Sequence, residues 1–174
     1  MTDNMAKQPD DGRPNILLVV VDDMGYSDCQ PFGGEIRTPT LQALSERGAR
    51  LRNFHTSSLC APTRAMLLSG VDNHQNGLGI MPPFHTANQF GKPGYEGPLN
   101  RNAATIAELL RDAGYHTYMT GKWHLGHNDG YRPAQRGFEK SSPSWAAAPA
   151  ISTTCCHCRA TKPRIRAIAT KTAT

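Results

Sequence analysis

The chain has 174 residues, 38% of them hydrophobic, and its 19 Lys and Arg against 14 Asp and Glu give a net charge of +5. That length suits one domain with a real core and argues against a second, and no apolar run approaches the roughly 18 residues of a membrane helix. The charge is unevenly placed: residues 141–174 hold five bases and no acids, which leaves 14 of each sign in residues 1–140.

Residues 1–13 form a polar leader, and "MTDNMAKQPDDGRPN" has no basic start, apolar stretch or small-residue cleavage site. A cytoplasmic protein is therefore expected, with no membrane partner. "ILLVVV", Ile16 to Val21, reads as a strand covered on both faces, as in a parallel sheet. It delivers Asp22 and Asp23 just past its carboxyl end. "TPTLQALSERG" predicts a helix capped by Thr38, started by Pro39 and stopped by Gly48, with Leu41, Ala43 and Leu44 inward. "ARLRNF" is expected as a short strand and "HTSSLC" as a loop.

A second helix is predicted from Pro62 to Ser69, with Gly70 ending it and Cys60 at its N-terminal edge. Residues 71–100, rich in Gly, Pro, Asn and His, read as a long irregular excursion, the kind of segment that more often carries function than idles. "NAATIAELLRDAG" predicts a third helix with Asn102 as cap, Ile106, Leu109 and Leu110 inward, and Gly114 at its end. "YHTYMT" is then a strand leading into "GKWHLG". Strands and helices alternate, the order of an α/β fold with a mainly parallel sheet.

In such sheets ligands bind outside the carboxyl ends of the strands. The adjacent carboxylates of Asp22 and Asp23 repel each other and suit a hard cation, although paired acids there are more often solvated loop residues. Cys60 reads either as a small buried hydrophobe or as a group beside a helix N-terminus whose free amides, together with Arg64, suit an anion. In an extended segment Lys122 and His124 project to one face, offering a fixed cation and a titrating imidazole. The alternative there is a turn with a packed Trp123 and a satisfied histidine.

Three stretches carry a family resemblance. "LCAPTRAMLLSG" resembles the sulfatase signature Cys-x-Pro-x-Arg, with Ser69 a small departure. "GYHTYMTGKWHLG" resembles the second sulfatase signature, and "RPNILLVVVDDMGYSD" the start of that family. Order and spacing agree over about residues 13–139, and "GKPGYEGPLN" with "RGFE" is similar to bacterial arylsulfatases in particular.

The resemblance implies an alkaline-phosphatase-like α/β sandwich with a mainly parallel sheet, here truncated, and hydrolysis of small-molecule sulfate esters. It implies that Cys60 is oxidised to formylglycine by a formylglycine-generating enzyme and becomes the nucleophile. One hydroxyl of the hydrated aldehyde attacks sulfur, and the second then expels sulfate. Asp22, Asp23 and the modified Cys60 are the implied calcium ligands, Arg64 supports the nucleophile, and Lys122 with His124 bind sulfate and assist the leaving oxygen. The family's remaining ligands, an Asp-Asn pair and further His and Lys from later strands, have no counterpart in this sequence, so the chain alone is expected to be inactive or feeble. A non-catalytic remnant that binds calcium or sulfate, and a phosphoesterase of the same superfamily, are the alternatives.

Residues 14–140 are thus the expected N-terminal part of a catalytic domain. Residues 141–174 change abruptly to Ser, Thr, Ala, Pro, Cys and Arg and are expected to be frameshifted coding sequence, disordered as protein. Shifting "SPSWAAAPAIS" by one base permits a more globular reading. "CCHC" is too tightly spaced for tetrahedral zinc, and five scattered bases without interleaved aromatics argue against nucleic acid as a partner. The odd count of five cysteines argues against a disulfide framework.

Overall fold

The computed structural model describes residues 12–144 and 169–171. Helix α1 spans Pro39–Arg47, α2 Cys60–Ser69 and α3 Ile106–Asp112; strand β1 spans Tyr115–Lys122, β2 Lys140–Ser144 and β3 Ala169–Lys171. The sheet order is β2-β1-β3. β2 lies parallel to β1, pairing Tyr118 with Lys140 through Lys122 with Ser144, and β3 is antiparallel, pairing Tyr115 with Lys171. The sheet is mixed, and the α/β class holds, with the parallel pair running along the carboxyl-terminal half of β1. The rest of the expected tail, residues 145–168 and 172–174, lies outside the described residues, as does most of the leader.

The core sits between β1 and the helices α2 and α3. Ala61, Ala65 and Leu68 of α2, Ala107 of α3, Met119 of β1, and Trp123, Leu125 and Phe138 beyond it form one buried cluster. Trp123 and Phe138 meet edge to face, 6.0 Å apart with planes at 87°, the geometry their ring quadrupoles favour. Leu78 and Leu99 join from the excursion at 71–100. That segment has no helix or strand, as expected, but it is part of the core rather than a cover over it.

Arg136 holds this region together. It is 2% exposed, donates to the Leu99 carbonyl at 2.7 Å and the Ala103 carbonyl, and pairs with Glu108 at 3.3 Å. A guanidinium's five N–H groups can satisfy several orphan carbonyls at once, which a buried loop needs. The "RGFE" stretch therefore has a structural role.

Several local expectations are corrected. Among the described residues Ile16 to Val21 makes a single bridge, at Ile16, and no regular strand. Leu18 packs against the core, whereas Leu17, Val19 and Val21 are 58%, 61% and 51% exposed. Side-chain pattern gave a strand with two covered faces, but a strand needs a hydrogen-bonded neighbour and a layer on each face. "ARLRNF" is a turn, not a strand. Leu44 on α1 is 54% exposed, so the inner face predicted for that helix is largely uncovered.

The caps differ too. Thr38 precedes α1, but its hydroxyl accepts from the Gln30 amide at 2.9 Å and makes no helix cap. α3 begins at Thr105 rather than Asn102: Thr105 Oγ1 accepts from the Glu108 amide at 3.1 Å while the Glu108 carboxylate accepts from the Thr105 amide. This reciprocal pair satisfies two donors and outcompetes the single asparagine three residues earlier. Leu109 faces out, 60% exposed. Among the described residues no helix is long and apolar enough to cross a membrane.

Candidate active site

Three segments distant in sequence meet at Cys60. α2 begins at Cys60 itself, with Leu59 as its N-cap and the Thr63 amide donating back to the Leu59 carbonyl at 3.1 Å. Pro62 lies in the first turn, where its lack of an N–H costs nothing. The left-handed Gly70 ends the helix at φ 67°. One turn along, Arg64 lies on the same side of the helix as Cys60. It is buried, donating from one terminal nitrogen to the Lys122 carbonyl at 3.0 Å and reaching Asp22 from the other at 3.5 Å. Arg64 Nε is buried without a hydrogen-bond partner.

Asp22 comes from the N-terminal segment. Its carboxylate accepts from Lys122 Nζ at 2.8 Å. The hydrogen bond from Lys122 is the main reason its carboxyl lies below the ordinary carboxylate value, with burial opposing and the charges of Lys122 and Arg64 adding to it. Asp23, next in the chain, has a left-handed φ of 55° and is exposed.

β1 delivers the other two groups. Burial is the largest single influence on Lys122 and works against its charge, but hydrogen bonds to Asp22 and to Cys60 outweigh it and raise the ammonium above its ordinary value. His124 Nδ1 is 3.4 Å from Cys60 Sγ. Burial first, and then the positive charges of Lys122, His127 and Arg64, lower the imidazole below its ordinary value. The shift favours the neutral imidazole, the form that can take up a proton. Lys122 and His124 reach the same place, but not by strand alternation: His124 has a φ of 62°, so the chain turns sharply one residue past Trp123. Two left-handed non-glycine residues, Asp23 and His124, mark this corner; such backbone persists where the surroundings over-determine it.

The cleft beside the cluster has a volume of about 610 Å³, and its lining includes Asp22, Asp23, Cys60, Thr63 and Arg64 together with apolar residues of the 18–21 segment. Chemically it offers a thiol next to an imidazole, with two cations close by, which suits the attack of residue 60 on an anionic centre. Sequence reading missed Met81, whose Sδ lies 3.6 Å from Cys60 Sγ; nothing in "GIMPPF" distinguishes it.

A cation is a separate matter. Among the described residues no three His, Cys, Asp or Glu side chains converge as a metal cluster. Asp22 is held by Lys122 and Arg64, and calcium takes six to eight oxygen ligands. The described residues therefore do not by themselves fit a calcium ion.

Residues 14–163 match the family model described as Sulfatase. The chain is 52% identical over 140 residues to an uncharacterised sulfatase of Schizosaccharomyces pombe, covering 78% of this chain and 25% of that protein. It is 51% identical over 126 residues to an arylsulfatase of Klebsiella aerogenes, covering 72% and 27%. With the human N-acetylgalactosamine-6-sulfatase the identity is 36% over 151 residues, covering 83% and 26%. The crystal structure of Ps i-CgsB in complex with k-i-k-neocarrahexaose superposes with a TM-score of 0.58 at 29% identity, over 74% of this chain and 27% of that one. The chain thus spans about a quarter of the length of the relatives it matches.

Proposed function

Because the chain belongs to the sulfatase family, we propose that the cluster around Cys60 serves the hydrolysis of sulfate esters, aryl sulfates in the first instance. One observation carries the reading: three segments meet so that His124 touches Cys60 while Arg64 and Lys122 both reach Asp22, with Lys122 also hydrogen-bonded to Cys60. "CAPTR" at the start of α2 supports the conversion of Cys60 to formylglycine by a formylglycine-generating enzyme. That group supplies, as its hydrate, one hydroxyl to attack sulfur and a second to release sulfate.

The chain's own residues would then act as follows. Lys122 Nζ and the Arg64 guanidinium hold the anionic oxygens, and preorganised charge of this kind is commonly the largest catalytic contribution. Arg64 Nε, buried and unpaired, is a donor suited to such an oxygen. His124 Nδ1, facing residue 60, takes the nucleophile's proton and returns it to the leaving oxygen. Asp22 keeps Lys122 charged and fixed in place. For the cation, the carboxylates of Asp22 and Asp23 are the implied ligands, but Asp22 is engaged by Lys122 and Arg64 and the described residues do not fit calcium by themselves, so no step is drawn through it.

The test is turnover of p-nitrophenyl sulfate by the protein coexpressed with a formylglycine-generating enzyme and assayed with calcium, beside p-nitrophenyl phosphate. Sulfate turnover that disappears in Cys60→Ala supports the reading; preference for phosphate, or turnover unaffected by Cys60→Ala, defeats it. A second reading, binding of sulfate without turnover, is favoured by the two cations, Lys122 and Arg64, gathered on Asp22 near Cys60. Calorimetry with sodium sulfate and with calcium chloride distinguishes it: sulfate heat without turnover is its signature.

A further inference from the structure

His124 borders a second cavity, separate from the cleft beside Cys60. It has a volume of about 260 Å³, and its walls include Pro82, Pro98, Tyr131, Glu96, His127 and Asn128. Its frame is hydrogen-bonded backbone. The Leu99 amide donates to the Leu125 carbonyl at 2.9 Å, joining the excursion to the loop after β1. Tyr131 is fixed twice, its carbonyl accepting from Trp123 Nε1 at 2.9 Å and its amide donating to the Asn128 carbonyl at 3.1 Å. Gly126 lets the walls close: at φ 129°, an added Cβ would stand 2.6 Å from Tyr131 Cβ and 2.9 Å from Pro98 Cβ. The cavity is therefore preformed.

We propose that this cavity is the subsite for the alcohol or phenol part of the ester. It takes a single ring with neutral or cationic substituents, and Glu96 rejects rings that carry a second anion. The proposal rests on the sulfate-ester reading. His124 supplies the connection, because it both touches Cys60 and lines the cavity. A sulfur atom at residue 60 places the leaving oxygen at His124 and the ring beyond it. The volume is below the roughly 300 Å³ at which pockets for drug-sized ligands begin, so it suits one ring rather than a chain of several.

The lining fits that occupant. Two prolines and a tyrosine provide apolar surface for a ring face, while Asn128 and Glu96 provide polar atoms for hydroxyl or amino groups. Among the described residues Glu96 makes no salt bridge, and it is the one carboxylate of a lining that holds no Lys or Arg and two imidazoles, His124 and His127. A second carboxylate or sulfate on the ring would meet it, and such a repulsive element sets specificity as effectively as an attractive one.

The experiment uses the full chain with Cys60 as an unmodified thiol and compares p-nitrophenyl sulfate with 4-carboxyphenyl sulfate, in which a carboxylate replaces the nitro group of similar shape. Affinities are read from the indole ¹⁵N–¹H signal of Trp123, and occupancy of the anion site from protection of Cys60 against iodoacetamide by sodium sulfate. The wild type should favour the nitro compound about fivefold, the scale of an exposed charge pair. Glu96→Gln should bring the ratio near one, and Asn128→Asp should widen it about fivefold again. Both positions are exposed, and an unchanged indole signal in the free protein verifies folding. If sulfate protects Cys60 but neither variant moves the ratio, the subsite is refuted while the sulfate-ester reading stands. If neither sulfate nor p-nitrophenyl sulfate protects Cys60, that reading fails and the subsite with it.

Discussion

Breaking the contact between Asp22 and Lys122 tests whether the cluster is a coupled unit or a chance meeting of side chains. The charged atoms are 2.8 Å apart, and the side chains are 36% and 9% exposed. Coulomb's law gives about 1.5 kcal/mol at the dielectric of water and about 6 kcal/mol at an effective value near 20. The exposure of Asp22 moves the answer toward the lower figure, and ordering a lysine side chain subtracts further. A coupling of about 1–2 kcal/mol is expected. Removing Asp22 alone, as Asp22→Asn, leaves the largely buried ammonium half satisfied and should cost at least that much.

The assay is a double-mutant cycle of Asp22→Asn and Lys122→Met, by urea unfolding with EDTA present so that adventitious cations do not contribute. The pH dependence has a definite sign. Asp22 is depressed below its ordinary 3.8, so its contribution is complete above that value and is lost as pH falls through the folded pKa. Lys122 is raised above its ordinary 10.5, so its contribution is complete below that value and is lost as pH rises through the folded pKa. The coupling should therefore be flat between about pH 5 and 9 and fall away at both extremes. A coupling below about 0.3 kcal/mol at pH 7, or one unchanged well below the folded pKa of Asp22, refutes the reasoning.

Other consequences are more local. Arg136→Ala should destabilise by about 3–5 kcal/mol, because it strands the Leu99 and Ala103 carbonyls and the Glu108 carboxylate together, and Arg136→Lys should recover only part of the loss in urea melts. Thr105→Ala removes both the cap on α3 and a hydroxyl that donates to the Arg136 carbonyl at 2.8 Å, for an expected cost of about 1–2 kcal/mol by the same measurement. Coexpression with a formylglycine-generating enzyme should change the mass of the Cys60 peptide by loss of hydrogen sulfide and gain of oxygen, and should leave the Cys29 peptide unchanged. Replacing the exposed Leu17, Val19 and Val21 with Ser, Thr and Thr should raise the monodisperse fraction on size exclusion, because an apolar segment without a regular ladder is prone to pair with another copy.

The sequence by itself determined the elements that short-range chemistry can end or begin. Pro39 and Gly48 bound α1, Gly70 stops α2, and Tyr115 leads a strand into "GKWHLG", because a fixed φ, a left-handed residue or a stretch rich in Tyr and Thr acts on its own neighbours. It also supplied the residues of the cluster, through motifs read as a resemblance. It did not determine how Lys122 and His124 come together, since a left-handed turn at His124 replaces the strand alternation that was expected. Only the tertiary structure decided that Asp22 belongs to Lys122 and Arg64, that Arg136 serves as a buried tie, and that the irregular excursion walls a cavity against the loop after β1. It decided, too, that "ILLVVV" forms no ladder among the described residues beyond the bridge at Ile16. Each of these depends on what a side chain or backbone group meets from a distant part of the chain, and neither hydrophobic periodicity nor local propensity carries that information.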